Sequence, residues 1–400
     1  MSHPIFRHIL SASALAFAAT APLLARPHNG LGEFLDFVGH DFPDWAATNA
    51  SALPFGAMGN LPALTSAGEI GGILRQIDQP YAVPDSANVT RRDVDAFYGD
   101  ATLSQDGRHP AHRGAWETFA FGQWNTGDFD NAPNRPVYNP ETWGGLVGVQ
   151  RWVDDERLVG LTASYHFARA DFHNNTPAGI VGVNDGGRID GDQARLRLYA
   201  ALVPEGQPWW LTFGASGGYV GYETKRNSPL DAAGVTATAT PEGYEVGLFA
   251  ALGARLHIVD SLALTPLARV DYNNTSIGKF TEHGSNYGFR VSRFNAESFQ
   301  TRLGAGLEYT GEFSFGFLYA RCSTVWASEL GGDDIKITSR LYGYRHHVFA
   351  GQLFGDAVEV APSLTLVLNN GLVLQAAYQV QITFDSQFSQ NVTLGLGWRF

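Results

Sequence analysis

The sequence predicts an all-β protein, a transmembrane antiparallel β-barrel of about twelve strands with a short, partly helical N-terminal segment. Three observations point there. Segments of about ten residues, alternating apolar and polar, recur from Trp116 onward, as tilted membrane strands require. The connections between them alternate short and long. Charged residues make up 16% of the chain, against about 25% in soluble domains, while 46 Gly, 15 Tyr, 9 Trp and 26 Phe supply small and aromatic strand positions.

The chain opens with Arg7 and His8 ahead of the apolar run Ile9 to Ala19, and small residues continue to Ala25. That charge order and length are those of a secretory signal peptide, so residues 1–25 are expected to be removed, after Ala25 or Ala21. The run is too short for a membrane-spanning helix, and no later stretch is long and uncharged enough. Residues 26–60 read as a short N-terminal segment and 61–115 as a linker. Within the linker, Ile70, Ile73, Leu74 and Ile77 recur at helical spacing, although Gly68, Gly71 and Gly72 weaken that helix by roughly 1 kcal/mol each. It is expected to thread the barrel lumen or to plug it. The single cysteine, Cys322, excludes an internal disulfide framework, and the net charge of −12 argues against a nucleic-acid partner. No cofactor is expected.

The strands read, in order, as 116–125, 142–152, 157–168, 192–202, 209–222, 244–255, 262–272, 299–309, 313–326, 356–368, 372–384 and 392–400. The run 299–309 is the clearest: Phe299, Thr301, Leu303, Ala305, Leu307 and Tyr309 share one face, and Gln300, Arg302, Gly304, Gly306 and Glu308 the other. The first face is expected to meet lipid, so a serine at Gly304, on the inner face, is expected to be mild. Short turns fall at 154–156, 204–208, 257–261, 310–312 and 369–371, and long connections at 126–141, 169–191, 223–243, 273–298 and 327–355. The last hairpin, near Asp385, breaks that alternation. Residues 335–349 also alternate, but an odd count would leave the termini on opposite sides of the membrane, so they read as a hairpin within an outer loop.

Inward parity selects Arg195, Arg197, Glu245, Arg255, Arg269, Asp271, Arg302, Glu308 and Arg399 as lumen-facing charges. Rings of charge set the selectivity of a conducting pore, whereas mixed signs that neutralise one another merely fill a small barrel. Trp143, Trp152, Trp209, Trp210, Trp326, Tyr222, Tyr272, Tyr309 and Trp398 lie near strand ends and read as interfacial girdles. His346 and His347 are neighbours on one alternating run and face opposite ways, which makes them poor partners for one metal or one base. No catalytic, cofactor or metal site is expected.

The stretches Trp143 to Gln150 and Leu158 to Tyr165 resemble the second and third strands of an autotransporter β-domain. Gly355 to Pro362, Leu364 to Leu368, Asn369-Asn370-Gly371, Leu372 to Tyr378 and the Phe400 end resemble its last three strands. The resemblance covers residues 116–400. It implies a twelve-stranded pore, a linker helix threaded through it, and a passenger exported to the cell surface. It also implies a monomer in the bacterial outer membrane, surrounded by outer-membrane lipid. The barrel assembly machinery would read the terminal aromatic Phe400, with Trp398 on the same face. Ahead of the barrel the chain departs from the family: residues 26–60 hold no solenoid repeats and read as a vestigial passenger. Every Asn-Asn pair (Asn174-Asn175, Asn273-Asn274, Asn369-Asn370) lies in the barrel region rather than the linker, so self-cleavage is not expected. Ala101 stands where related surface lipases carry their serine. The function expected is that of a translocator or surface scaffold without enzymatic activity. The alternative is a porin-like channel for small solutes, distinguished by whether residues 61–81 occupy the lumen.

Deleting Phe400, or changing it to Asp, is expected to lower membrane-assembled protein far more than the same change at Phe384, since only Phe400 holds the terminal position. Quantitative blots of membrane fractions decide it. Equal losses would reduce Phe400 to one more apolar residue.

Overall fold

A computed structural model describes Met58, Ser66, Glu69, Ile70, Ile73 and most residues from 116 to 399. Within that range 129–137, 155, 173–185, 205–206, 228–234, 260, 332–334, 342–343, 351–355 and 385–387 are excluded. Residues 1–57, which include the expected signal peptide, most of the expected linker 61–115 and Phe400 therefore lie outside the described residues.

The strands are β1 (Trp116–Asp128), β2 (Tyr138–Trp152), β3 (Arg157–Phe172), β4 (Gly187–Leu202), β5 (Trp209–Asn227) and β6 (Thr236–Ala239). They continue as β7 (Glu242–Ala254), β8 (Leu256–Val259), β9 (Leu262–Ile277), β10 (Phe280–Thr281), β11 (Arg290–Val291) and β12 (Phe294–Phe313). The last six are β13 (Gly316–Gly331), β14 (Ile335–Leu341), β15 (Tyr344–Ala350), β16 (Ala357–Leu368), β17 (Leu372–Thr383) and β18 (Phe388–Arg399). β1, β2, β3, β4, β5, β7, β9, β12, β13, β16, β17 and β18 pair in that order, and β18 returns to β1 to close a 12-strand antiparallel barrel. The seam runs from Glu117↔Arg399 to Asp128↔Phe388, so no barrel edge is left open.

Alternation decides which side chains face out. Leu196 (60% exposed), Leu198, Leu303 (63%), Leu307 and Leu394 cover the outer surface, which is the surface that a hydrocarbon core would wet. Glu117, Gln123, Gln150, Gln193, Arg302 and Gln375 are buried on the inner face. One correction concerns the aromatics. Trp326, Tyr309 and Trp398 are exposed as girdle residues would be, but Trp152, Trp210 and Tyr222 are buried inside. Trp209 and Trp210 are adjacent, and in a strand adjacent residues cannot share a face.

The twelve barrel strands are 12–20 residues long, beyond the nine to eleven that span a bilayer. Compared with the bounds read from the sequence, the added residues lie mostly at the long-loop end, as at β1, β2, β4 and β5. At the opposite end, β12 runs on through the expected turn at 310–312 and reverses instead at Ser314-Phe315. The turn before β17 places Gly371 at φ 84°, a left-handed conformation that glycine adopts without a Cβ clash. At the β2–β3 turn, Asp154 accepts hydrogen bonds from the backbone N–H groups of Glu156 (3.0 Å) and Arg157 (2.7 Å). The Arg157 guanidinium beside it holds its carboxyl below the usual carboxylate range.

Loops at the other end build a cap. β10, β11, β14 and β15 form a separate four-stranded sheet, so 335–350 is a hairpin outside the barrel wall. Thr238 bridges His283 and β6 pairs with the loop-end part of β5, which joins a third loop to the cap. Arg226 clasps Glu282 (Nη2 to Oε2, 2.6 Å), donates to the Tyr287 carbonyl (3.2 Å) and lies over the Phe289 ring.

Gly304 overturns the mild substitution expected there. A Cβ at that position would lie 2.2 Å from the Thr324 carbonyl oxygen and 2.6 Å from the Val325 Cα, so any side chain must separate β12 from β13. Gly304→Ser is therefore expected to destabilise although it faces inward. Leu303→Arg, placed in the lipid-facing band, should cost about 2–4 kcal/mol, and Leu303→Ala much less. Urea titration of folded protein in lipid vesicles reads all three, and a tolerated Leu303→Arg would refute the register.

Candidate functional site

The inner wall of a small barrel needs filling, and here it is filled by side chains and by a helical stretch of the same chain. Ile70 and Ile73 are helical and buried, packed into an apolar cluster with Phe119, Phe121, Leu146, Trp152, Leu158, Tyr199, Trp210 and Phe249. Glu69, one residue before Ile70, is 1% exposed. A lone carboxylate in such a place is tolerated only with cationic and hydrogen-bonding partners.

Glu69 has three such partners. Arg195 places Nη1 2.8 Å from Glu69 Oε1, and Arg197 donates from Nη1 to Oε2 at 2.8 Å. His166 Nδ1 lies 3.3 Å from Oε1. Arg197 also donates from Nη2 to Ser66 Oγ (2.9 Å), one helical turn before Glu69. Arg195 reaches across to Glu245 through Nε and through Nη2, the latter at 2.8 Å. Two arginines thus face two glutamates, and the cluster is close to neutral. Above it, Tyr222 donates to the Met58 carbonyl at 2.7 Å.

β4 supplies Arg195 and Arg197 at successive inward positions, β3 supplies His166 and β7 supplies Glu245. The other inward charges form separate groups. Arg269 donates to Asp271 (2.8 Å), Arg302 pairs with the same carboxylate, and Arg302 Nε lies 3.4 Å from Glu359. Arg255 pairs with Glu308 and donates to Thr310 Oγ1 (3.0 Å). Gln150 links Glu117 (2.6 Å) to Tyr199 (2.7 Å). The side chain of Arg399 lies outside the described residues, though its backbone pairs with Glu117.

Parity brought Arg195, Arg197 and Glu245 into view but left Glu69, Ser66 and His166 unnoticed. Their signals were present. Glu69 is an acid directly preceding Ile70 on an otherwise apolar helix face, Ser66 lies one turn earlier, and His166 has the inward parity of Leu158 and Thr162.

Chemically the cluster is a clamp. Burying ions costs several kcal/mol each, so the net gain from the pairing is small, but removing one partner strands the others and costs about 3–5 kcal/mol. Glu69→Ala is therefore expected to loosen the helix and raise the single-channel conductance of the refolded full chain. Arg188→Ala, which breaks a half-exposed pair with Asp171, should not. Joint replacement of Glu69 and Arg197 by Leu should perturb less than either single change. An unchanged conductance in Glu69→Ala would dismiss the clamp.

The model of the autotransporter β-domain family matches residues 118–379. Among solved structures, the translocator domain of the autotransporter NalP from Neisseria meningitidis superposes with TM-score 0.57 at 15% identity, covering 72% of this chain and 89% of that one. The transport unit of the autotransporter AIDA-I from Escherichia coli gives 0.50 at 10% identity, covering 77% and 97%. No curated protein matches the sequence. With two-thirds of its length matched by the family model and its strands closed into the corresponding barrel, the chain belongs to the autotransporter β-domain family.

Proposed function

We propose that this translocator barrel sits in the bacterial outer membrane and retains its own N-terminal helix in the lumen. The residues ahead of Met58 then emerge on the long-loop, outer side. The direction of the threaded segment carries this reading. Tyr222, which holds Met58, lies opposite Gly191 on β4, whereas Arg197, which holds Glu69, lies opposite Ser216. Tyr222 and Ser216 are about 20 Å apart along the strand at 3.3 Å per residue. From Met58 to Glu69 the chain therefore descends from the loop end toward the short-turn end, where β1 begins. A segment entering this way comes from outside.

The filled lumen also favours a translocator at rest over an open porin-like channel. At the level of Arg195 the space between β3, β4 and β7 is occupied by Glu69 and its partners. The inward charges are tied to one another and to the helix, in the roles of filling and clamping, and no catalytic step is assigned to the barrel. Residues 26–57 stand in this reading as a short surface-exposed segment.

The test is topological. In intact cells carrying Cys322→Ser and Ala47→Cys, a membrane-impermeant thiol reagent should modify the introduced cysteine. The protein should fractionate with the outer membrane and migrate differently in gels when unheated. Labelling only after the outer membrane is permeabilised would reverse the direction assigned here.

A further inference from the structure

The cap sheet carries a feature that neither the barrel nor its helix requires. Register places Arg290 of β11 opposite Arg340 of β14, and Arg340 opposite Arg345 of β15. Directly opposed residues of an antiparallel sheet share a face about 5 Å apart, and like charges so placed destabilise it. All three are exposed, as are Lys336 and His347 on the same face, while Ile335, Ile337 and Leu341 are buried on the other. Among the described residues none of the three arginines has an ion-pair partner. In a chain of net charge −12 this is a concentrated basic face.

We propose that this face is the docking surface for the acidic segment of the same chain that precedes Met58. The proposal rests on the direction assigned to the threaded helix. Residues 26–57 contain Glu33, Asp36, Asp41 and Asp44 against one Lys or Arg side chain, Arg26 at their start. Met58, where this segment joins the described helix, is held close to the cap: Tyr222, which bonds it, lies on β5, β6 pairs with β5, and Thr238 of β6 bridges His283 beside β10. Met58 and Asp44 are joined by chain that extends to at most about 50 Å, ample to lay the carboxylates over the arginine row. Tethering also raises the effective concentration of the segment at the face to about the millimolar range, above that of a free anionic competitor. The cap thereby holds the exported end against the barrel mouth.

Labelling of Ala47→Cys in the Cys322→Ser full chain tests this on intact cells. Changing Arg290, Arg340 and Arg345 to Glu should speed modification roughly fivefold, the effect of a few exposed ion pairs. The reverse change, Glu33, Asp36, Asp41 and Asp44 to Lys, leaves the cap untouched and should give the same rise. Combining both sets should restore the slow rate. Equal rates in all variants overturn the docking while leaving the helix direction intact. A cysteine unreachable from outside in every variant overturns both. Rates that ignore the reversals, while the arginine face binds vesicles of anionic lipid or protects itself only at high protein concentration, reassign the face to a membrane surface or to a second copy and equally overturn the proposal.

Discussion

The pairing of β18 with β1 is the constraint on which the rest of this structure depends. A hydrocarbon surround offers no hydrogen bonds, so each N–H and C=O at that depth must find a partner within the wall. Twelve strands meet that demand only as a closed ring, and the seam from Glu117↔Arg399 to Asp128↔Phe388 completes it. Closure forces alternation on every strand, which sends Leu196, Leu303 and Leu394 outward and Arg197, Arg302 and Thr393 inward. An inner surface of that composition must then be neutralised and filled.

The interior meets that need by two different means. Near the short-turn end it is packed with Trp152, Leu158, Tyr199 and Trp210, an apolar plug that buries Ile70 and Ile73 as well. Further up, arginines and carboxylates pair around Glu69 and, separately, around Asp271, while Arg255 and Glu308 pair at the short-turn end itself. The apolar part supplies adhesion without direction. The ionic part supplies position, because Glu69 must lie between Arg195 and Arg197 and nowhere else along the wall. A helix held this way is located firmly yet at little net gain in free energy, since the desolvation of the ions offsets most of their attraction. Such a segment can be retained in a finished barrel without being irreversibly bound.

The loops follow a different logic. They stand where water is available, so their polar groups need no closed ring, and they are organised by a small core of their own around Ile335, Ile337, Leu341, Val291 and Phe289. Arg226 and Glu282, both buried, tie that core to β5. Among the described residues one face of the cap is basic and has no ion pair for Arg290, Arg340 or Arg345, in contrast to the balanced charges of the lumen.

The sequence by itself determined the parity of the strands, their number, the sorting of turns to one end and loops to the other, and the family resemblance. Those features depend on the period-two pattern and on turn residues such as Asn369-Asn370-Gly371, which are local properties. Only the tertiary structure decided what the inward residues do. Arg195 and Arg197 were legible as inward, but that they converge on Glu69 depends on a helix over a hundred residues away in the chain. Trp152, Trp210 and Tyr222 sit near strand ends as girdle aromatics do, and only the strand register turned them inside. Gly304 has inward parity, yet its need for hydrogen arises from the close approach of β13. The row Arg290, Arg340 and Arg345 is drawn from two separate loops and exists only once they share a sheet. In each case the deciding quantity is a distance between strands or loops remote in sequence, and a periodic pattern carries no information about that distance.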